Sequence, residues 1–187
     1  MKKIIHNIEV TTDNRRKKGG QIMMKAFSKI ILMIIVGAVG GFLLGTLISL
    51  FVGKGAIVSG SSMEPTMYDG QKYRYKAKKT YERNDIVVLD GNQTSYEVDC
   101  LLIKRVIGLP GEKIYIDGGK VYINDELLDE VINSEPIEDA GIASEPVILG
   151  SDEYFVLGDN RNHSGDSRFF GPVKKAAIEG AIINKAN

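Results

Sequence analysis

One uninterrupted apolar run constrains the architecture of this chain more than any other feature of its sequence. Residues 30–52 occupy 23 positions without a single charged side chain. A helix of that length extends about 35 Å, which is enough to cross a hydrocarbon core of about 30 Å with some tilt. The run therefore predicts one transmembrane helix, which divides the chain into a segment of residues 1–29, the helix at 30–52 and a domain of residues 53–187.

Basic side chains are concentrated on one side of this run. Residues 1–29 contain eight Lys and Arg side chains against two acidic ones, whereas only Lys54 stands close after the run. Cytoplasmic flanks of membrane helices carry the excess of basic residues, so we predict a cytoplasmic basic tail and an extracytoplasmic domain, anchored in the cell membrane. A cleaved secretory signal is the alternative, although its basic and apolar regions are usually shorter than these two.

Three glycines are spaced four apart within the run, at Gly37, Gly41 and Gly45. That spacing places them on one face of a helix, where the small residues permit close approach of a second helix. Weak self-association through this face is therefore one interpretation. The other is that the glycines have no such role, because glycine is common in membrane helices.

The charge and cysteine content argue against several classes of function. Residues 30–187 contain 16 basic and 22 acidic side chains, a net charge of −6, which argues against a nucleic-acid partner. Cys100 is the one cysteine, so no disulfide within the chain and no cysteine-based metal site is expected. His6 and His163 fall on opposite sides of the predicted membrane, so we expect no zinc site. We also expect no other metal and no cofactor.

Short β-type runs dominate the chain after residue 53. Alternating or β-branched residues predict strands at 71–77, 85–89, 101–107, 153–157 and 176–184. Lys113–Asp117 and Lys120–Asn124 flank Gly118-Gly119, which predicts a tight hairpin. Residues 125–143 are acidic and lack a pattern, so we predict a surface excursion there. The domain is expected to be mainly β.

Three separate stretches stand out from this β pattern, at 59–67, 101–112 and 158–173. Each has an ordinary interpretation when it is taken alone. The first reads as a turn, the second as a strand with a lysine at a sheet edge, and the third as a solvated loop. The apolar residues that flank the third stretch favour a hydrogen-bonded network instead.

Lys104 is the residue whose setting indicates chemistry. On a strand it shares one face with Leu102 and Val106, while Arg105 points the opposite way. Aliphatic neighbours desolvate an ammonium and lower its pKa, which a lysine needs in order to act as a general base near neutral pH. His163 is the competing candidate for the base, although a single histidine in a polar loop is more often a surface residue.

Taken together and in order, the three stretches resemble the sequence boxes of bacterial type I signal peptidases. The matching positions are Ser62-Met63-x-Pro65-Thr66, then Lys104-Arg105-Val106-Ile107-Gly108-x-Pro110-Gly111, then Gly158-Asp159-Asn160-Arg161 with Ser164, Asp166, Ser167 and Arg168. Their spacing and the preceding apolar run agree as well, so the resemblance covers nearly all of residues 30–187. It implies an extracytoplasmic catalytic domain, built as an antiparallel β-sheet or barrel-like fold behind one N-terminal transmembrane helix.

The resemblance implies a serine endopeptidase that cleaves N-terminal signal peptides from exported preproteins at the surface of the lipid bilayer. Ser62 would attack the scissile carbonyl, Lys104 would take the serine proton, and the Ser62 backbone N–H would help to stabilise the oxyanion. Ser164 would hydrogen-bond to Lys104 and orient it. The residues implied to support the site are Asp159, Arg161, Asp166 and Arg168, the last two as an ion pair. The residues implied to line pockets for small side chains at −1 and −3 of the substrate are Val58, Met63, Met67, Leu102 and Ile103.

Gly60 marks a departure from Gram-negative members of the family, which carry a serine two residues before the nucleophile. Ser59 or Ser61 would substitute for that hydroxyl, or the oxyanion hole would use backbone donors alone. Two other functions stay open, namely a signal-peptidase-like accessory protein in pilus assembly and a Ser–Lys self-cleaving regulator. The presence of both Ser62 and Lys104 argues against an inactive accessory, and the membrane run argues against the regulator.

Overall fold

The structure is a computed structural model that describes residues 24, 27–47, 53–132 and 135–185. The chain forms two compact units, Met1–Val52 and Gly53–Asn187. In the first unit the structure describes one helix, α1 (Phe27–Leu47), which is long and apolar enough to cross a membrane. The side chains of α1 are exposed throughout, and an apolar helix without a polar face is typical of a membrane span.

Helix α1 begins three residues before the predicted start of the span at residue 30. Residues 48–52 of that span, and the basic tail apart from residues 24 and 27–29, lie outside the described residues. Gly37, Gly41 and Gly45 lie on α1, and a Cβ atom built on each would have no atom within 4 Å. Association of α1 with a second helix through these glycines stays a prediction.

The second unit is built mainly from antiparallel strands, as predicted. Its larger sheet has seven strands in the order β1-β2-β11-β3-β4-β9-β10, and every neighbouring pair is antiparallel. The strand bounds in this sheet are β1 Lys54–Ile57, β2 Lys72–Lys76, β3 Ile86–Asp90, β4 Leu101–Gly108, β9 Glu153–Leu157, β10 Val173–Lys174 and β11 Ile178–Lys185. Each of the five predicted runs overlaps one of these strands to within two residues at either end, whereas β1 and the two-residue β10 were not predicted.

The larger sheet is not closed into a barrel. Among the described residues, β1 and β10 stand at its two ends, and each pairs with one neighbour only. Closure would require these end strands to pair with each other, and β10 has only two residues with which to do so. The sheet is therefore open.

The smaller sheet has four strands in the order β7-β6-β5-β8. Their bounds are β5 Lys113–Asp117, β6 Lys120–Ile123, β7 Glu126–Leu127 and β8 Val147–Ile148. The predicted hairpin is confirmed, because Asp117 pairs with Lys120 across Gly118 and Gly119. Both glycines have positive φ angles, +55° and +75°, which two-residue hairpin turns of this kind require and glycine adopts without steric cost.

Alternation along β9 distributes side chains between two hydrophobic cores. Tyr154 and Val156 pack with β3, β4 and β11 residues on one face of the larger sheet. Phe155 and Leu157 point to the other face and pack with residues of the smaller sheet. The two sheets therefore enclose the second core, and β4 and β9 contribute to both.

The excursion at 125–143 is only partly a surface segment, so that prediction needs correction. It adds β7 to the smaller sheet, and it buries Ile137 and Ala143, which are 6% and 0% exposed. Single apolar residues without periodicity give no sequence signal of burial. In the structure Ile137 and Ala143 nevertheless belong to the second hydrophobic core. The short helical segments of the domain are α2 Ser167–Phe170 and four 3-10 turns, Gly91–Gln93, Gly141–Ser144, Arg161–His163 and Lys175–Ala177.

Candidate active site

Ser62 lies in the turn that follows β1. The turn is held by three buried side chains that form one cluster, Val58, Met63 and Met67, each at most 4% exposed. The Met67 N–H donates to the Met63 carbonyl at 2.9 Å and closes the turn. Ser62 itself is only half-buried, so apolar anchors on both sides hold its hydroxyl at a surface that a substrate can reach.

Lys104 lies in the middle of β4, which is hydrogen-bonded to β3 and to β9. Its side chain is buried, at 3% exposure, and its Nζ donates a hydrogen bond to Ser62 Oγ at 2.9 Å. On the strand, the predicted aliphatic neighbours Leu102 and Val106 belong to one packed cluster. The turn after β1 and the centre of β4 therefore bring a hydroxyl and an amine into direct contact.

Burial lowers the pKa of the Lys104 ammonium below its ordinary value. The carboxylates of Asp166 and Asp159, and Cys100 when it is a thiolate, act in the opposite direction and offset part of this effect. Desolvation is the larger influence because it penalises the charged form of an amine that has little contact with water. A neutral amine next to a hydroxyl can accept its proton, so the pair has the chemistry of a nucleophile and a general base.

Asp159 joins the turn of Ser62 to the strand of Lys104. Its carboxylate accepts two hydrogen bonds from Arg105, from Nε at 2.7 Å and from Nη2 at 2.6 Å. The same carboxylate accepts a hydrogen bond from the Thr66 hydroxyl. The resemblance implied Asp159 as a supporting residue but did not give Arg105 as its partner. The alternation of β4 does predict that Arg105 points away from the face of Lys104.

A second buried ion pair lies in the loop after β9. Arg168 contacts the Asp166 carboxylate through Nε at 2.8 Å and Nη2 at 3.0 Å, and both side chains are at most 1% exposed. Asp166 also accepts from the Gly158 N–H at 3.0 Å. Arg161 donates to the Gly158 carbonyl at 3.1 Å and to Glu130 at 2.6 Å. These bonds hold Gly158 from both sides, and the catalytic importance of the residues stays a prediction.

Ser164 does not make the hydrogen bond to Lys104 that the resemblance implied. Its Oγ is buried without a hydrogen-bond partner in the described part of the chain. The hydroxyl instead packs against Gly158, where an added Cβ would lie 2.1 Å from Ser164 Oγ and 2.5 Å from the Ser62 carbonyl oxygen. Ser164 thus lies close to the backbone of Gly158, near the Ser62 carbonyl, but its hydroxyl is not hydrogen-bonded to the amine.

The competing chemistries receive less support from the geometry. His163 is exposed, and its ring Nδ1 lies 3.2 Å from Asn160 Oδ1, whereas the hydrogen bond to Ser62 Oγ comes from Lys104. Within the described residues, no three His, Cys, Asp or Glu side chains lie close enough together to hold a metal ion. Lys104 is therefore the basic side chain that the structure places next to Ser62.

A small cleft of about 80 Å³ opens beside the Ser62–Lys104 pair. The residues that line this small cleft are Ile57, Val58, Ser59, Ser62, Met63, Leu101, Leu102, Ile103 and Lys104. Four of the five residues predicted for the substrate pockets are among them, and Met67 lies behind them, packed in the cluster of Val58 and Met63. A cleft of about 80 Å³ has room for a small side chain.

Comparison with known protein families bears directly on these expectations. The family model described as "Signal peptidase, peptidase S26" matches residues 24–185. The chain belongs to this signal peptidase family. The predicted enzyme class, a serine endopeptidase of the signal peptidase I kind, is confirmed, and cleavage of signal peptides is the activity that the family supports.

Individual signal peptidases match most of the chain. "Probable signal peptidase I-2" from Synechocystis sp. is 31% identical over 182 residues, which cover 93% of this chain and 78% of the relative. Signal peptidase I from Bacillus licheniformis is 34% identical over 149 residues, which cover 73% of this chain and 78% of the relative. A crystal structure of a signal peptidase I from Enterococcus faecalis V583 has 34% identity and a TM-score of 0.46, and it covers 58% of this chain and 100% of its own.

Replacement of Asp159 by Asn is expected to destabilise this signal peptidase domain by about 3 kcal/mol or more. The change removes the negative charge that compensates the buried Arg105 guanidinium, whose side chain is 8% exposed. Loss of one partner of a buried ion pair destabilises a protein by about this amount. Chemical denaturation of the purified protein measures the effect. Asp152→Asn at an exposed position is the matched control, and equal losses for the two variants would contradict a structural role of the buried pair.

Proposed function

We propose that this chain is a membrane-bound serine endopeptidase that removes N-terminal signal peptides from exported preproteins, with Ser62 as nucleophile and Lys104 as general base. One observation carries the assignment of the two residues. The buried Lys104 Nζ lies 2.9 Å from Ser62 Oγ, and burial lowers the pKa of this amine. A contact of this kind is what a serine needs in order to be deprotonated at the moment of attack.

In the proposed reaction, Ser62 Oγ attacks the scissile carbonyl carbon and its proton moves to the neutral Lys104 amine. The resulting ammonium then donates that proton to the leaving nitrogen of the mature chain, which gives an acyl-enzyme and a free amine. A water molecule, deprotonated by Lys104, hydrolyses the ester. The Ser62 backbone N–H stabilises the oxyanion, and Ser59 and Ser61 are candidates for a second donor.

The supporting residues act through the groups they hold. Asp159 binds Thr66 of the nucleophile turn and Arg105 of β4, so it fixes the turn that carries Ser62 relative to the strand that carries Lys104. Asp166 and Arg168 hold the loop that carries Gly158. We assign all of them as positioning residues, because the contacts they make are to backbone and side chains of the site and not to Ser62 Oγ or Lys104 Nζ.

The small cleft supports the expected preference for small side chains at −1 and −3 of the substrate.

The functional test uses the detergent-solubilised full chain and a preprotein that carries Ala-x-Ala before the mature sequence. We expect a product with the mature N-terminus, and no cleavage when the −1 alanine is replaced by phenylalanine, because a ring does not fit a cleft of about 80 Å³. Failure to cut the Ala-x-Ala preprotein would refute the proposal and would favour the non-enzymatic pilus accessory.

Anchoring fits the proposed substrates, because a signal peptide also holds an apolar segment in the bilayer. Confinement of enzyme and substrate to one membrane raises their effective concentration. Helix α1 supplies the span, and the eight basic residues of segment 1–29 favour a cytoplasmic N-terminus and an extracytoplasmic domain in a single-pass arrangement.

The orientation predicts a protection pattern. Protease added to spheroplasts should digest residues 53–187, whereas a tag on residues 1–29 should survive until the membrane is permeabilised. Immunoblots against the tag and the domain measure the two fragments, with a known cytoplasmic protein as the control for intact membranes. Digestion of the tag together with survival of the domain would reverse the assignment and remove exported preproteins as the substrate class.

A further inference from the structure

A second, larger cleft of about 370 Å³ lies on the other side of the nucleophile turn from the small cleft. We name it the distal cleft, and its lining residues are Glu64, Pro65, Glu135, Asp159, Asn160, Arg161, Asn162 and His163. The two clefts share no residue. Ser59, Ser62 and Met63 line the small cleft, whereas Glu64 and Pro65, the next two residues, line the distal cleft. The turn of Ser62 therefore forms the boundary between them.

The floor of the distal cleft is bonded directly to the nucleophile turn. The Asn160 N–H donates to the Ser62 carbonyl at 3.0 Å, and Asn160 Nδ2 donates to the Ser61 carbonyl at 3.2 Å. A peptide whose −1 side chain occupies the small cleft has its scissile carbonyl at Ser62. The distal cleft begins at Glu64, two residues beyond Ser62 on the same turn, so it is adjacent to the point where the chain after the scissile bond would leave the serine.

The far wall of the distal cleft is fixed to the same floor. Asn162 accepts a hydrogen bond from the Glu138 N–H at 3.0 Å and donates one to the Pro136 carbonyl at 3.1 Å. These bonds tie the segment that follows Glu135 to the loop that contains Asn160. The cleft is therefore a formed feature of the fold with hydrogen-bonded walls, and not a gap between independent loops.

The charges that the distal cleft offers to a ligand are negative. Asp159 is paired with Arg105, and Arg161 is paired with Glu130, so these lining charges are compensated inside the protein. Glu64 and Glu135 have neither an ion pair nor a side-chain hydrogen bond among the described residues. Glu135 is exposed and Glu64 is half-buried, so both carboxylates are available to a bound peptide.

We propose that the distal cleft receives the first residues of the mature chain and that Glu64 and Glu135 select a lysine or arginine side chain there. This inference rests on the proposed function, since it assigns specificity on the leaving-group side of the same reaction. A carboxylate near the surface attracts a cationic side chain modestly, by an amount that corresponds to about a fivefold change in rate or binding at most for each pair. Selection of this size changes which preproteins are processed first without excluding neutral sequences.

The test uses the full chain in detergent and peptides that share one Ala-x-Ala segment and differ at a single position, +1, +2 or +3. Each position carries Lys, Gln or Glu in turn, and kcat/KM is measured for every peptide. We expect the Lys peptide to exceed the Glu peptide by about fivefold at one of these positions at low ionic strength. The ratio should fall toward one as salt is raised, because exposed charges are screened.

Two double variants separate this selection from a general effect of charge. In Glu64→Gln with Glu135→Gln, the ratio between the Lys and Glu peptides should fall close to one. Glu126→Gln with Glu145→Gln removes two exposed carboxylates that line neither cleft, and it should keep the wild-type ratio. If the double variant folds poorly, Glu64→Gln and Glu135→Gln are measured singly, and each should lower the ratio.

The outcomes distinguish the inference from the function on which it rests. Equal rates for Lys and Glu peptides in the wild type, or a ratio that is unaffected by salt or by the Glu64 and Glu135 changes, would overturn the selection alone. Failure to cleave any peptide, including the Gln series, would overturn the proposed peptidase activity and the inference with it.

Discussion

Replacement of Lys104 by Arg is expected to reduce preprotein cleavage by about 10³-fold or more, although the positive charge is retained. Guanidinium stays protonated at any pH at which the protein is folded, so it cannot accept the proton of Ser62. Lysine at the same position can lose its proton, because burial lowers its pKa. Initial rates of Ala-x-Ala preprotein cleavage measure the loss.

The same reasoning gives the pH dependence of the unmodified enzyme. The lowered pKa of Lys104 means that the neutral amine accumulates as pH rises through a value below the usual 10.4 for lysine. The cleavage rate should therefore increase with pH and reach a plateau once Lys104 is neutral. His163→Ala should leave this ionisation in place. Activity in Lys104→Arg together with its loss in His163→Ala would replace the lysine with a histidine base.

A second substitution at this position separates catalysis from folding. Because burial lowers the pKa of Lys104 in the folded state, the charged amine is penalised there, and it lowers stability at pH values below its unfolded pKa. Lys104→Met removes this penalty and should unfold at the wild-type temperature or above it. An inactive but stable Lys104→Met variant would identify the defect as the missing base.

Ser62→Ala is expected to reduce cleavage by about 10⁴-fold or more, because no other group would form the acyl-enzyme. The domain should lose about 1 kcal/mol of stability or less, since the change removes one half-buried hydroxyl and a single hydrogen bond. Thermal unfolding and preprotein cleavage are measured on the same preparation. Ser61→Ala is the matched control, and it should still form the acyl-enzyme. Activity in Ser62→Ala with loss in Ser61→Ala would mean that the neighbouring serine is the nucleophile.

The part of the site that could be predicted is the part that depends on local periodicity. Strand alternation predicted that Lys104 shares one face of β4 with Leu102 and Val106. In the structure Lys104 is buried, and these two side chains belong to one hydrophobic cluster. The hairpin at Gly118-Gly119 was predictable for the same reason, since the turn chemistry is contained in two residues.

The part that could not be predicted depends on pairing between distant segments. Arg105 and Asp159 are 54 positions apart in the sequence. Strand periodicity predicts that Arg105 points away from the face of Lys104, but it does not predict which carboxylate pairs with Arg105. Ser164 was assigned a contact by resemblance alone, and its hydroxyl faces Gly158 because the local backbone packs it there. Ile137 was missed because one apolar residue in an acidic segment carries no periodic signal.

The pairing of β4 on both sides limits how the length of this chain can vary. Lys104 lies opposite Val87 in β3, and Arg105 lies opposite Leu157 in β9. A deletion or an insertion of one residue within β4 would turn its side chains to opposite faces and would put an arginine or an aliphatic side chain where the amine stands. In the stretch between β7 and Ile137, none of the described residues belongs to a strand of the larger sheet. Length differences among active homologues should therefore collect in that stretch, and a gap inside β4 should mark a homologue that has lost the proton acceptor.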